Sequence, residues 1–211
     1  MSLARLLQLA SPALPVGAYS YSQGLEAAIE AGIVNDAGSA ERWIADVLQF
    51  SLAGMEAPLV HRMIAEPADV TRLNAMFLAS RETAELRAET LQMGHSLRRL
   101  LNDFGLTLPA MEEIAYPTAF ALAAAHWKLE PREALVAYLW AWLENQVMAA
   151  VKAVPLGQTA GQKMLLALGS RLESIAQHAA ALAEDEWCNF APGLAFLSSR
   201  HETQYSRLFR S

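Results

Sequence analysis

The sequence predicts an all-α fold, a helical bundle packed round one buried central helix, and three observations carry that prediction. The first is the run PREALVAYLWAWLENQVMAAVKAV, closed at its two ends by Pro131 and Pro155. Proline suits the first turn of a helix, where its missing N–H would be unpaired anyway, and it cannot sit in the interior, so the two prolines bracket one element. The second is that apolar residues form two overlapping stripes on that helix. One runs through Leu135, Leu139 and Trp142, the other through Val136, Trp140, Leu143, Val147, Val151 and Val154. A helix apolar over so much of its circumference belongs in an interior. The third is the rest of the chain, where apolar residues recur at spacings of three and four and nowhere alternate with period two. The unbroken apolar run Ala134 to Leu143 is about half the length that crosses a bilayer, and Glu144, Asn145 and Gln146 end it, so no membrane is expected.

Taken in order, Leu3, Leu6, Leu7 and Ala10 predict a short opening helix that stops at Ser11-Pro12. SPALPVGAYSYSQGLE reads as an ordered loop, with Ser20 or Ser22 capping the helix that Gly32 ends. Tyr19, Ser20, Tyr21 and Ser22 fit cap and turn chemistry or a loop that touches a partner. Asp36 or Ser39 starts ERWIADVLQFSLAG, with Trp43, Val47, Phe50 and Leu52 on its buried side, and a shorter helix holds Leu59, Met63 and Ile64. Asp69 caps a long helical region to Asn102, bent near Ser80 and closed by Gly105. Tyr116-Pro117 opens TAFALAAAHWKL, and the central helix follows. Leu165, Leu166, Leu168, Leu172, Ile175 and Ala179 continue the helical period before an irregular stretch round Pro192-Gly193. The last piece, FLSSRHETQYSRLFRS, reads as an amphipathic helix.

At 211 residues the chain suits one domain over 1–211. It is 54% hydrophobic and only 18% charged, below the usual quarter, which implies wide apolar contact surfaces, some of them facing partners. A net charge of −6 argues against nucleic acid, whose phosphates need clustered Lys and Arg. The single cysteine, Cys188, permits no internal disulfide and reads as a buried thiol in a reducing compartment. The opening MSLARLLQLASPALPVG is a poor secretory signal, so the cytoplasm is the expected location.

The catalytic patterns fail in turn. Gly157, Gly161 and Lys163 suggest a phosphate loop, but Gln162 separates glycine from lysine, Met164 replaces the hydroxyl, and a helix precedes. His201-Glu202 begins like a zinc-protease helix, yet Tyr205 stands where the second histidine is required. No histidine follows a Glu by three, so the di-iron bundle signature is missing, and the five read as surface or core-edge residues. Glu82, Glu85 and Glu89 lie along one helix side; that spacing serves a solvated ion-paired face or, with a histidine from a neighbouring helix, a metal-handling helical-bundle enzyme. At the C-terminal end, Leu197, His201, Tyr205, Leu208 and Phe209 fall on one side of a helix, opposite Arg200, Arg207 and Arg210. Such a stripe must cover a surface, its own body or another protein, and aromatic plus Arg composition favours an interface.

Four blocks, SPALPVGAYSYSQGLEAAIEAG, RETAELRAET, AAVKAVPLGQTAGQ and RHETQYSRLFRS, together resemble the UreF family of urease accessory proteins, in the family's order across nearly the whole chain. Glu56 in EAPL stands where the family more often carries Asp. The resemblance implies an all-helical homodimer that is not an enzyme and binds no cofactor tightly. It implies partners as well: UreD (also called UreH), the GTPase UreG and apo-urease, in a complex that inserts nickel with GTP. It places the docking segment for UreD at 196–211, chiefly Arg200, His201, Glu202, Tyr205, Arg207, Leu208, Phe209 and Arg210. A surface for UreG falls round Lys152, Pro155 and Gln158, and Tyr19 and Ser22 belong to the partner-contacting loop.

Overall fold

The computed structural model describes residues 2–211, and among them the regular structure is helical with no strand. The chain runs α1 (Ser2–Leu9), α2 (Leu25–Glu30), α3 (Ala37–Val47), a π-helical segment (Leu48–Glu56), α4 (Ala57–Ala65), α5 (Val70–Ala79) and α6 (Ala84–Asp103). It continues with α7 (Tyr116–His126), α8 (Pro131–Ala153), α9 (Gln158–Gly169), α10 (Leu172–Ala181) and α11 (Pro192–His201). The bracket of prolines holds: Pro131 begins α8, and Val154, extended, ends it before Pro155. As expected of a central helix, α8 packs against α1, α2, α3, α4, α7, α9 and α10.

The most enclosed helix is nevertheless α7. Every residue from Pro117 to Ala124 is buried, whereas α8 leaves Trp140 and Met148 exposed. The small side chains of α7 let α4, α6 and α8 close on it from all sides. Its N-terminus, preceded by Ala115 with no capping side chain, is satisfied from outside. Asn74 of α5 accepts from Ala115 N–H (3.0 Å) and donates to the Glu113 carbonyl (3.0 Å), while Thr90 of α6 accepts from Tyr116 N–H (3.1 Å).

Several element readings change. The helix from Asp36 and the one through Met63 are a single continuous rod, joined by the π-helical segment, whose wider winding turns Phe50 outward while Leu48, Leu52 and Glu56 point in. Two of its carbonyls, Phe50 and Gly54, accept from Phe190 and Cys188 N–H, so the 187–190 loop lies along it. Cys188 is thereby exposed rather than buried. The bend near Ser80 is a full break, and Thr83, not Asp69, supplies a side-chain cap: its hydroxyl accepts from Leu86 N–H (3.2 Å), whereas Asp69 is drawn to Arg72. Leu166 faces solvent because α9 turns Gly161, Met164, Leu165 and Leu168 inward, and α10 is a separate helix. Pro192-Gly193 opens α11 instead of an irregular stretch, and the amphipathic helix foreseen to residue 211 stops at His201.

Candidate functional site

Beyond His201 the chain leaves helical geometry because other parts of the fold claim its backbone groups. Gln23 and Gly24 both take positive φ (53° and 79°), which turns the N–H groups of Ser22 and Gln23 toward the Ser211 carbonyl at 2.8 and 3.1 Å. The Ser22 hydroxyl donates to the same oxygen, and it accepts from Glu26 N–H in the first turn of α2. Gly24 also lies under α11, where a Cβ would sit 3.1 Å from Leu194, so its lack of a side chain lets α11 and α2 meet.

Glu26 of α2 accepts from the N–H groups of Leu208 (2.6 Å) and Phe209 (2.9 Å), and the Ser20 carbonyl accepts from Arg210 N–H at 2.8 Å. Across the segment, Glu202 accepts from Ala84 N–H at 2.9 Å, an anion at the start of α6 where unpaired donors point outward. The imidazole of His201, wholly buried, lies between Glu85 (Nδ1, 2.6 Å) and Glu26 (Nε2, 3.3 Å), and Arg207 donates to the other oxygen of Glu85. Phe209 is buried with the Lys152 ammonium 4.6 Å from its ring centroid.

Deeper still, Glu89 is 4% exposed and accepts from Gln23 Nε2 (2.6 Å) and the Ser211 hydroxyl (2.7 Å), while Trp142 Nε1 donates to Gln23 Oε1 at 2.7 Å. Burial pushes the Glu89 carboxyl up from 4.5 to about 7, against the two donors that lower it. An acid whose folded pKa is raised weakens the fold as pH rises from the unfolded value through the folded one. Full stability is therefore present below about 4.5 and the loss is complete above about 7. Between about pH 5 and pH 8 the parent should lose about 2.5 kcal/mol that Glu89→Gln keeps, measured as the difference in their urea-unfolding free energies at the two pH values.

Beside this network a cavity of about 290 Å³ opens under the loop from Leu9 to Tyr19, between α6, α7 and α8. Its floor is an ion pair: Glu56 accepts from the Tyr138 hydroxyl and from Arg81 Nη1 at 3.3 Å, with both partners about nine-tenths buried. Arg81 also stacks on Phe77, 4.3 Å to the centroid, and Tyr138 packs edge-on to Phe120 and stacks on Tyr116. Burial first, then Glu56, holds the Tyr138 phenol well above its usual range, so it serves as a donor.

The structure brings together residues that the sequence left in separate blocks. Lys152 reaches the ring of Phe209, whereas Pro155 and Gln158 are exposed beyond it. Tyr19, Arg200, Glu202, Tyr205, Arg207, Leu208 and Arg210 are exposed. Ser22, His201 and Phe209 are not: they are buried within this chain, so the single apolar stripe from Leu197 to Phe209 is divided between inside and outside. His201 is thus neither a surface nor a core-edge residue. Glu82, Glu85 and Glu89 form neither a solvated face nor a shared focus, because Glu82 accepts from Asn189, Glu85 holds His201 and Arg207, and Glu89 holds Gln23 and Ser211. Among the described residues no three His, Cys, Asp or Glu side chains are placed to hold a metal ion. Sequence reasoning missed Gln23, Glu26 and Ser211. The acid at the first turn of α2 was visible, but its partners lie some 180 positions away.

A family model described as UreF matches residues 34–169. Over 100% of its length the chain is 60% identical to a urease accessory protein UreF of Azoarcus sp. (strain BH72), covering 96% of that protein. It is 53% identical over 100% of its length to a urease accessory protein UreF of Dechloromonas aromatica (strain RCB), covering 98% of that protein. With one of Ralstonia pickettii (strain 12J) the identity is 50%, over 99% of this chain and 97% of the relative.

Proposed function

Because the chain belongs to the UreF family of urease accessory proteins, we propose that it is a non-catalytic assembly factor that joins UreD (UreH) and the GTPase UreG on apo-urease. In this reading it acts as a cytoplasmic homodimer, nickel is cargo, GTP belongs to UreG, and this chain holds neither tightly. It contributes shape and adhesive surface, so that seating one partner stabilises the conformation another prefers. The observation that carries the reading is the identity of 60% from end to end, which takes in both the 11–24 loop and the 202–211 segment that packs on it. Consistent with it, no described helix is long and apolar enough to cross a membrane. UreD takes the exposed side of 202–211 and UreG takes the ground round Lys152, Pro155 and Gln158, with the Lys152–Phe209 contact between the two surfaces.

The test is Tyr205→Ala combined with Leu208→Ala in the full chain, coexpressed with UreD, UreG and urease. Both side chains are largely exposed, Tyr205 fully, so folding stability should change by less than about 0.5 kcal/mol. Recovery of UreD with the variant should fall at least about tenfold and urease activation should fall with it, as for an aromatic anchor at an interface. Undiminished copurification and activation would show that the segment is not the UreD surface.

A further inference from the structure

Of the five histidines only His201 is wholly buried, and both of its ring nitrogens face carboxylate oxygens. A neutral imidazole has one N–H, so one nitrogen would press its lone pair against an anion. We propose that residues 202–211 form a proton-held latch: His201 carries both ring protons while the segment is seated on α2 and α6, and losing one frees the segment.

The charges support this. Glu26 of α2, Glu85 of α6, His201 and Arg207 sum to zero when the ring is doubly protonated and to one negative charge when it is not, in a site where the carboxylates are only 12% and 16% exposed. The other charged groups are engaged elsewhere or lie outside. Glu89, one turn along α6, faces Ser211 and Gln23, and Glu202 sits on the start of α6. Lys152 of α8 lies over Phe209, and the exposed Arg200 packs over Phe196. Arg210 is the side-chain partner of Tyr21.

The ring also touches the right anchor. Its longer contact, Nε2 at 3.3 Å, is to Glu26, the carboxylate from which the Leu208 and Phe209 N–H groups hang. Loss of that proton turns an attraction at Glu26 into a repulsion, and the two backbone bonds are disturbed with it. The device depends on this chain alone and not on which partner binds.

The test uses the full chain. Nitrogen NMR of the His201 ring at about pH 6 should show both nitrogens protonated. Amide hydrogen exchange at Leu208 and Phe209, corrected for intrinsic exchange, should lose protection as pH rises toward about 9, by up to about tenfold per unit for one linked proton. Glu89→Gln should retain that loss, which separates the ring from the neighbouring carboxyl. His201→Gln should lower protection at both extremes, and His201→Gln combined with Glu89→Gln should flatten the profile. A ring with one protonated nitrogen at about pH 6, or pH-independent protection in Glu89→Gln, or parental protection in His201→Gln, each overturns the latch. If His201→Gln does not fold, the ring spectrum and the Glu89→Gln profile decide.

Discussion

Arg81→Ala is expected to lower folding stability by about 3–5 kcal/mol, a fall in Tm of roughly 10–15 °C for a chain of this size. The guanidinium faces Glu56, a carboxylate 7% exposed whose only other side-chain bond among the described residues is from the Tyr138 hydroxyl. Truncation leaves an anion in the interior with one donor and removes the plate that covers Phe77. Water entering the adjoining cavity rehydrates the anion in part, which places the effect toward the lower end of the range. Removing the charge on both sides should recover much of the loss, so Glu56→Gln with Arg81→Met should be less destabilised than the two single changes added together. Urea unfolding of the four proteins measures this coupling. If Arg81→Ala changes stability by less than about 1 kcal/mol, the pair behaves as an exposed one and does not form a buried cavity floor.

Gly94→Ala should unfold roughly 5–10 °C below the parent, although alanine is the better helix former by about 1 kcal/mol. A Cβ at this position of α6 would lie 2.1 Å from the Ile114 carbonyl oxygen and 2.7 Å from the Ala115 carbonyl carbon, both backbone atoms held by their own bonds. The stretch cannot retreat without breaking the Asn74 and Thr90 hydrogen bonds at the start of α7, so overpacking outweighs propensity. A thermal melt decides it; a rise in Tm would mean that the approach of the two backbones is looser than described.

The all-α class was legible because it rests on local signals: Pro131 and Pro155, the capping box of Asp36 with Ser39, and glycines at 32 and 105 act within a few residues of their effect. What was hidden depends on distant partners or on small departures from ideal winding. Phe50 reads as buried in a regular α-helix and is exposed because nine residues follow a π course that no residue type announces. The tail shows the same limit. Its aromatic and basic residues marked it as a segment that covers a surface, and the resemblance named it a docking piece. That its backbone would be taken by Ser22, Gln23 and Glu26, halting the helix at His201, required knowing that residues near 24 and near 209 are neighbours.

The π-helical stretch carries one more consequence, for how this chain tolerates change in length. Each residue of an α-helix advances the side-chain direction by about 100°, so striking a single residue between Leu48 and Gly54 would tidy the winding yet swing Glu56 and all of α4 out of phase with what they meet. Substitutions there leave the phase intact. Insertions and deletions do not, and relatives should vary in letter along this stretch while keeping its number of residues constant.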